Sequence, residues 1–154
     1  MPKHIAYLGL GSNLGDGRKN LDEAVKLLAE EAGEVLAVSA YIESEPWGFE
    51  SQHVFTNGAV AIATPLSAIE LLDVTQAIER HMGRKNKHKP GESYSDRIID
   101  IDILYFDSLV VNSERLTLPH PLIEERDFVK RPLEEIMPIV ENKQKQIKEY
   151  EIVS

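Results

Sequence analysis

The chain contains no cysteine, which excludes a disulfide framework and a thiolate metal site. It also lacks any hydrophobic run approaching the ~18 residues that would cross a bilayer, so no membrane partner is expected. Its first residues, Met1-Pro2-Lys3-His4-Ile5, show no basic region followed by an apolar segment and cleavage site. The expected location is the cytoplasm. Positive charge is scarce: 17 Lys and Arg stand against 26 Asp and Glu, for a net charge of −9. A general nucleic-acid binder needs a basic footprint, and none is expected here. Repeats, low-complexity tracts and Pro/Gly/Ser-rich linkers are also missing. The 154 residues therefore read as one domain with its own core, residues 141–154 forming a C-terminal extension. A monomer, or at most a weak dimer, is expected.

What the chain does have is concentrated in Arg97-Ile98-Ile99-Asp100-Ile101-Asp102, running into Ile103-Leu104-Tyr105-Phe106. The alternation is that of a β-strand, in which residues two apart share a face. Ile99, Ile101, Ile103 and Tyr105 should face one side, Asp100 and Asp102 the other. Two such carboxylates lie about 7 Å apart at Cα, so their oxygens can converge. Like charges that close raise at least one pKa unless a cation lies between them. A pair of Mg²⁺ ions resolves the conflict, because Mg²⁺ takes one or two carboxylates together with substrate phosphates. On an isolated exposed strand the same two acids would simply face water. Arg97 and the apolar opposite face favour phosphate chemistry.

The basic residues are unevenly placed. Arg80, Arg84, Lys85, Lys87, Lys89 and Arg97 lie close together on an otherwise acidic chain, a pattern suited to a small polyanion such as a nucleoside triphosphate. Familiar phosphate loops are absent. Gly9-Leu10-Gly11-Ser12-Asn13-Leu14-Gly15 has its third glycine one place late for a dinucleotide fingerprint, and no G-x-x-x-x-G-K-[ST] occurs. Bound ATP would have to be held by metals and by Asp100, Asp102, Arg84 and Arg97.

The order of elements reads as follows. A strand over 4–10 precedes a turn at Gly11–Gly17, in which Asn13 can take a positive φ. A helix follows with Leu21, Ala24, Val25, Leu28 and Ala32 on one face, closed by Gly33. A second strand runs from Val35 to Ser44 and, after an irregular stretch at 45–52, a third from Val54 to Ala63. Ser67-Ala68-Ile69-Glu70 fits a capping box and opens a second helix that ends at Gly83. A basic loop over 84–96 leads to the strand 97–106. Val110 and Val111 suggest a short further strand, and the C-terminal third reads as mixed. The order β-α-β-β-α-β is that of an α+β, ferredoxin-like fold, with helices on one face of an antiparallel sheet.

Three motifs occur in this order: Gly11-Ser12-Asn13-Leu14-Gly15 after the first strand, Arg97-x-x-Asp100-x-Asp102, and Leu118-Pro119-His120-Pro121 with Arg126 and Phe128. Together with Thr56-Asn57-Gly58-Ala59-Val60 they closely resemble the 6-hydroxymethyl-7,8-dihydropterin pyrophosphokinase family of folate biosynthesis, over residues 4–140. The resemblance implies transfer of the terminal diphosphate of ATP to the hydroxymethyl oxygen of a reduced pterin, with two Mg²⁺ ions and release of AMP. It implies that Asp100 and Asp102 bind metal and that Arg84 and Arg97 contact phosphates. Glu79, Thr117, His120 and Arg126 would lie at the nucleotide. Asn57 would pair with the polar edge of the pterin, Phe55 and Phe128 would flank its ring, and Pro46 and Trp47 would line the entrance. Within 86–95 it assigns no residue. A rival reading, a ferredoxin-like module that binds nucleotide or pterin without turning it over, would need neither both aspartates nor both arginines.

Overall fold

The computed structural model describes residues 3–44, 54–83 and 97–153, the side chains of 149–153 excepted. Strand β1 (His4–Ser12) leads into helix α1 (Gly17–Glu31). Asp16 caps that helix, its side chain accepting from the Lys19 N–H at 3.2 Å. The i, i+3, i+7 positions Leu21, Ala24 and Leu28 are buried, as an amphipathic helix on a sheet requires. Gly33 follows the last turn for a reason of space: a Cβ there would collide with the Ala63 carbonyl. Its φ is not positive. Next come β2 (Glu34–Val38), β3 (Ile42–Ser44), β4 (Phe55–Thr64) and helix α2 (Ala68–His81). The capping box is formed in full: Glu70 N–H donates to Ser67 Oγ at 3.2 Å, and Ser67 N–H donates to Glu70 Oε1 at 2.9 Å. Gly83, at φ +117°, ends the helix in a conformation that favours glycine. The chain is completed by β5 (Asp100–Phe106), the hairpin of β6 (Val111–Asn112) and β7 (Thr117–Leu118), and α3 (Asp127–Val153).

The main sheet has the order β2-β4-β1-β5, all antiparallel, with β3 also paired to β4 beyond β2. Taking β2 and β3 as one interrupted strand, this is the ferredoxin-like arrangement. The expected single strand from Val35 to Ser44 is broken at Ser39–Tyr41. There the Ser39 hydroxyl accepts from the Ala59 N–H at 2.9 Å, and the Ala40 N–H turns aside to Glu135 Oε2 at 2.7 Å. Strand β1 outruns its expected end by two residues, Gly11 and Ser12 pairing with Asn57 and Thr56. Asn13 does not take a positive φ; its side chain accepts a hydrogen bond instead.

Between β1 and β5 the register slips by one. Tyr7 pairs with Tyr105 but Leu8 with Ile103, so Leu104 is an inserted residue. Such a bulge reverses the alternation beyond it. Tyr105 consequently leaves the face of Ile99, Ile101 and Ile103 and joins Leu104 on the other, while Phe106 takes its place. The expected grouping of Tyr105 with the isoleucines is wrong for this reason.

Helices α1 and α2 cover one face, packing Leu21, Leu28, Leu71 and Ile78 against Leu8, Leu10, Val60, Ile62 and the β5 isoleucines. The opposite face is not open, as helices confined to one side would leave it. Helix α3 crosses it, setting Leu133, Ile136 and Val140 against Tyr7, Ala59, Ala61 and Leu104. The coverage stops short of Gly9, Gly11, Asn57, Asp100 and Asp102, and the uncovered end of that face is a cleft.

Candidate active site

The cleft, of about 470 Å³, has the sheet as its floor. Across three neighbouring strands Asp100 pairs with Gly11 and Gly11 with Asn57; one rung on, Asp102 pairs with Gly9 and Gly9 with Ala59. The paired carboxylates and the Asn57 amide are therefore two strand spacings apart, about 10 Å. Two glycines lie between them and put no side chain in the gap. That accounts for the Gly9-x-Gly11 spacing, which is no dinucleotide loop.

Asp100 and Asp102 share a face, as the alternation predicts. Arg97 Nη1 donates to Asp100 Oδ1 at 2.9 Å, both side chains being partly buried. Asp102 is pushed up to about 7: burial contributes most, then the charges of Asp100 and Glu79, against the opposing pull of Arg97 and Arg126. Near neutral pH this site is short of positive charge. Among the described residues no three His, Asp or Glu converge on one point. Two carboxylates offering only oxygen suit Mg²⁺, which keeps water or substrate oxygens in its remaining positions.

Glu79, buried on α2, reaches the edge of β5 from beneath. Its Oε2 accepts from the Ile101 N–H at 2.9 Å, holding the strand midway between the two aspartates. His120 lies at the opposite wall. Its N–H donates to the carbonyl of the bulged Leu104 at 2.9 Å, and its Nδ1 accepts from the Leu122 N–H at 3.2 Å. Burial, helped by Arg126 and resisted by Asp100, lowers its pKa. The neutral ring with Nδ1 as acceptor carries its proton on Nε2, a donor. Arg126 stacks with its guanidinium carbon 5.8 Å from the centre of the Phe128 ring, within cation–π range. Asn57, buried beneath the cleft, donates through Nδ2 to Ser44 Oγ at 2.8 Å. Its Oδ1 lies beside Gly11, 3.4 Å from where a Cβ on that glycine would stand.

Most of the expected site residues thus converge: Phe55, Asn57, Glu79, Arg97, Asp100, Asp102, His120, Arg126 and Phe128 all line the cleft. Thr117 does not; it is exposed on β7. Pro46, Trp47 and Arg84 lie outside the described residues. Sequence reasoning missed Ser44, Gln76 and Arg115. Arg115 lines the mouth and donates through Nη2 to Asp73 Oδ1 at 2.7 Å and Gln76 Oε1 at 3.3 Å. Asp73 and Gln76, three apart on α2, form one helical patch facing an arginine in the hairpin. The spacing was visible, but the pairing was not.

The model of the 7,8-dihydro-6-hydroxymethylpterin-pyrophosphokinase family matches residues 7–138. The chain belongs to this family. The 2-amino-4-hydroxy-6-hydroxymethyldihydropteridine pyrophosphokinase of Porphyromonas gingivalis is 47% identical over 135 residues, covering 87% of this chain and 91% of that one. The Bacillus subtilis enzyme of the same name is 44% identical over 139 residues, covering 90% and 81%. Among solved structures, an HPPK-DHPS polypeptide in complex with substrates superimposes with a TM-score of 0.67 at 16% identity. It covers 90% of this chain but only 41% of the other, and at that identity it speaks for the fold alone. As a family member the protein is an ATP-dependent diphosphotransferase of folate biosynthesis, acting on the hydroxymethyl group of the reduced pterin and leaving AMP. The reading as a non-catalytic binding module is thereby set aside.

Proposed function

We propose that the Asp100–Asp102 face of β5 is the metal and phosphate centre of this diphosphate transfer, and that the pterin lies towards Phe55, Asn57 and Phe128. The observation that carries the reading is the row Asp100–Gly11–Asn57. It sets an acidic pair and a buried amide at the two ends of one glycine floor, about one small heterocycle apart. In this reading the two carboxylates hold two Mg²⁺ ions. When bound, the ions would neutralise the triphosphate and lower the pKa of the pterin hydroxyl.

The chain's own residues then do what phosphoryl transfer requires, which is positioning and charge stabilisation. Asn57 Oδ1 accepts from a donor on the polar edge of the pterin, its orientation set by Nδ2 bonding to Ser44. The rings of Phe55 and Phe128 sandwich the heterocycle. Arg97, already beside Asp100, meets the phosphates where charge shifts towards departing AMP. Neutral His120 offers its Nε2–H, and Arg126 its guanidinium, to the nucleotide. Glu79 keeps the two aspartates in register, with at least one of its oxygens committed to the strand. Arg84 as a second phosphate contact, Thr117 at the nucleotide, and Pro46 and Trp47 at the entrance rest on the family resemblance. We read 1–154 as a single domain acting as a cytoplasmic monomer, on small molecules rather than nucleic acid. AMP production from ATP that requires both the reduced pterin and Mg²⁺, measured on wild type and on Arg97→Ala, tests the reading. An Arg97→Ala enzyme with an unchanged single-turnover rate would remove Arg97 from the transfer.

A further inference from the structure

Asn13 stands just past the end of β1 and is buried, yet it contributes nothing to the cleft wall. Its N–H donates to the Arg97 carbonyl at 3.0 Å, and its Oδ1 accepts from the Arg97 N–H at 2.6 Å. One residue thus holds both main-chain groups of another, 84 positions away. The side-chain carbonyl stands in for the main-chain carbonyl that the next rung of an antiparallel ladder would supply. This happens immediately before β5, where the regular β1–β5 pairing has ended at Gly11 and Asp100. The turn behind Asn13 is itself braced: Asn20 Nδ2 donates to Ser12 Oγ at 3.0 Å and to the Leu14 carbonyl at 2.7 Å.

The geometry points to Asn13 as the positioning residue for Arg97. By fixing the Arg97 backbone against the end of β1, it sets the point from which the guanidinium reaches Asp100 at 2.9 Å. Ala, Leu or Ser at this position would leave the main-chain bond to the Arg97 carbonyl and remove the Oδ1 that accepts from the Arg97 N–H. The base of the arginine would then be free to shift. Misplacement of a catalytic group by about 1 Å can cost on the order of 100-fold in rate. The asparagine of the Gly11-Ser12-Asn13 motif is on this view required for its acceptor oxygen, not for a turn conformation.

This inference rests on the placing of Arg97 in the transfer, which Arg97→Ala tests by itself. The experiment is a double-mutant cycle of Asn13→Ala and Arg97→Ala in the full chain, read as the single-turnover rate of AMP formation with saturating ATP, Mg²⁺ and reduced pterin. Pterin affinity is measured alongside by calorimetry. Asn13→Ala should slow the single turnover about 10- to 100-fold and leave pterin affinity within about twofold. In the Arg97→Ala background it should cost less than about threefold more, because coupled residues are not additive. Equal losses in both backgrounds would overturn the inference, since Asn13 would then act independently of Arg97. So would an unchanged rate in Asn13→Ala while Arg97→Ala is slow. If Asn13→Ala proves unable to fold, Asn13→Ser, which keeps a polar side chain too short to reach, carries the same comparison.

Discussion

At the scale of single residues, Asp102 is the group the metal-free protein holds least comfortably. Burial beside Asp100 and Glu79 pushes it up to about 7, whereas an unfolded aspartate titrates near 4. Folding without metal therefore takes up a proton between those two pH values. The contribution is fully present below about pH 4 and is lost as pH rises through about 7. Metal-free wild type should lose stability across that window relative to Asp102→Asn, by on the order of 3 kcal/mol, in urea titrations at pH 4, 5.5 and 7. A parallel pH dependence of the two proteins would contradict the burial of a charged carboxylate here. Asp100→Ala and Asp102→Ala should each abolish Mg²⁺-dependent diphosphate transfer, with the metal-free fold equally or more stable, because removing one acid relieves the other. Near-normal turnover in either variant would show that the metals are held elsewhere.

At the scale of elements, stability and activity separate by whether a residue lines the cleft. The Ser67 cap of α2 lies outside the cleft lining. Ser67→Ala should cost about 1 kcal/mol in denaturant unfolding and leave turnover unchanged. Ile136, fully buried on α3 against the sheet, should cost 2–5 kcal/mol as Ala, roughly what a large-to-small core change costs. A loss of activity from Ser67→Ala at a temperature where the protein stays folded would mean that α2 transmits more to Glu79 than its position suggests. Helix α3 also shows why the sequence, which read the C-terminal third only as mixed, did not single out a long helix there. Pro132 and Pro138 lie inside it, and proline normally ends a helix, since it removes an i→i−4 bond and crowds the preceding turn. Here packing of Leu133, Ile136 and Val140 on the sheet outweighs that local penalty, as tertiary context commonly does with propensity.

At the scale of the whole molecule, the substrates are expected to bind a site assembled from segments far apart in the chain. Among the described residues the cleft draws on β1, β3, β4, α2, β5, the β6–β7 hairpin and α3. A ligand that binds only the folded form stabilises all of it, by about 2.7 kcal/mol at a hundredfold excess over Kd. A non-hydrolysable ATP analogue with Mg²⁺ should therefore raise Tm in wild type, and far less in Asp102→Asn. An equal rise in both would separate nucleotide binding from the acidic pair. Trp47, the one tryptophan, reports on the expected pterin entrance. Its emission, corrected for pterin absorption, should respond to a pterin analogue, and more strongly with nucleotide present. An unresponsive Trp47 under conditions where calorimetry confirms binding would place the entrance elsewhere.

Much of this protein was decided by local sequence pattern. The alternation through Asp100 and Asp102, the Ser67–Glu70 cap, the Leu21–Leu28 face of α1 and the order of strands and helices all follow from periods of two and 3.6 residues. The ferredoxin-like order and the acidic pair were legible for that reason, and the family's motifs pointed to most of the other expected residues that line the cleft. Tertiary structure alone decided what depends on residues distant in sequence. Tyr105 was reversed by the slip of register between β1 and β5 at Leu104, which alternation within β5 does not encode. Gly9 and Gly11 became a cleft floor only once Asp100, Asp102 and Asn57 were paired beside them. Asn13 read as a turn residue until Arg97 arrived at its side chain, and Arg115 had no visible partner until the hairpin met α2. Pattern specifies which face a side chain takes; which other chain segment meets that face is set by packing across the whole sheet, and no local period encodes it.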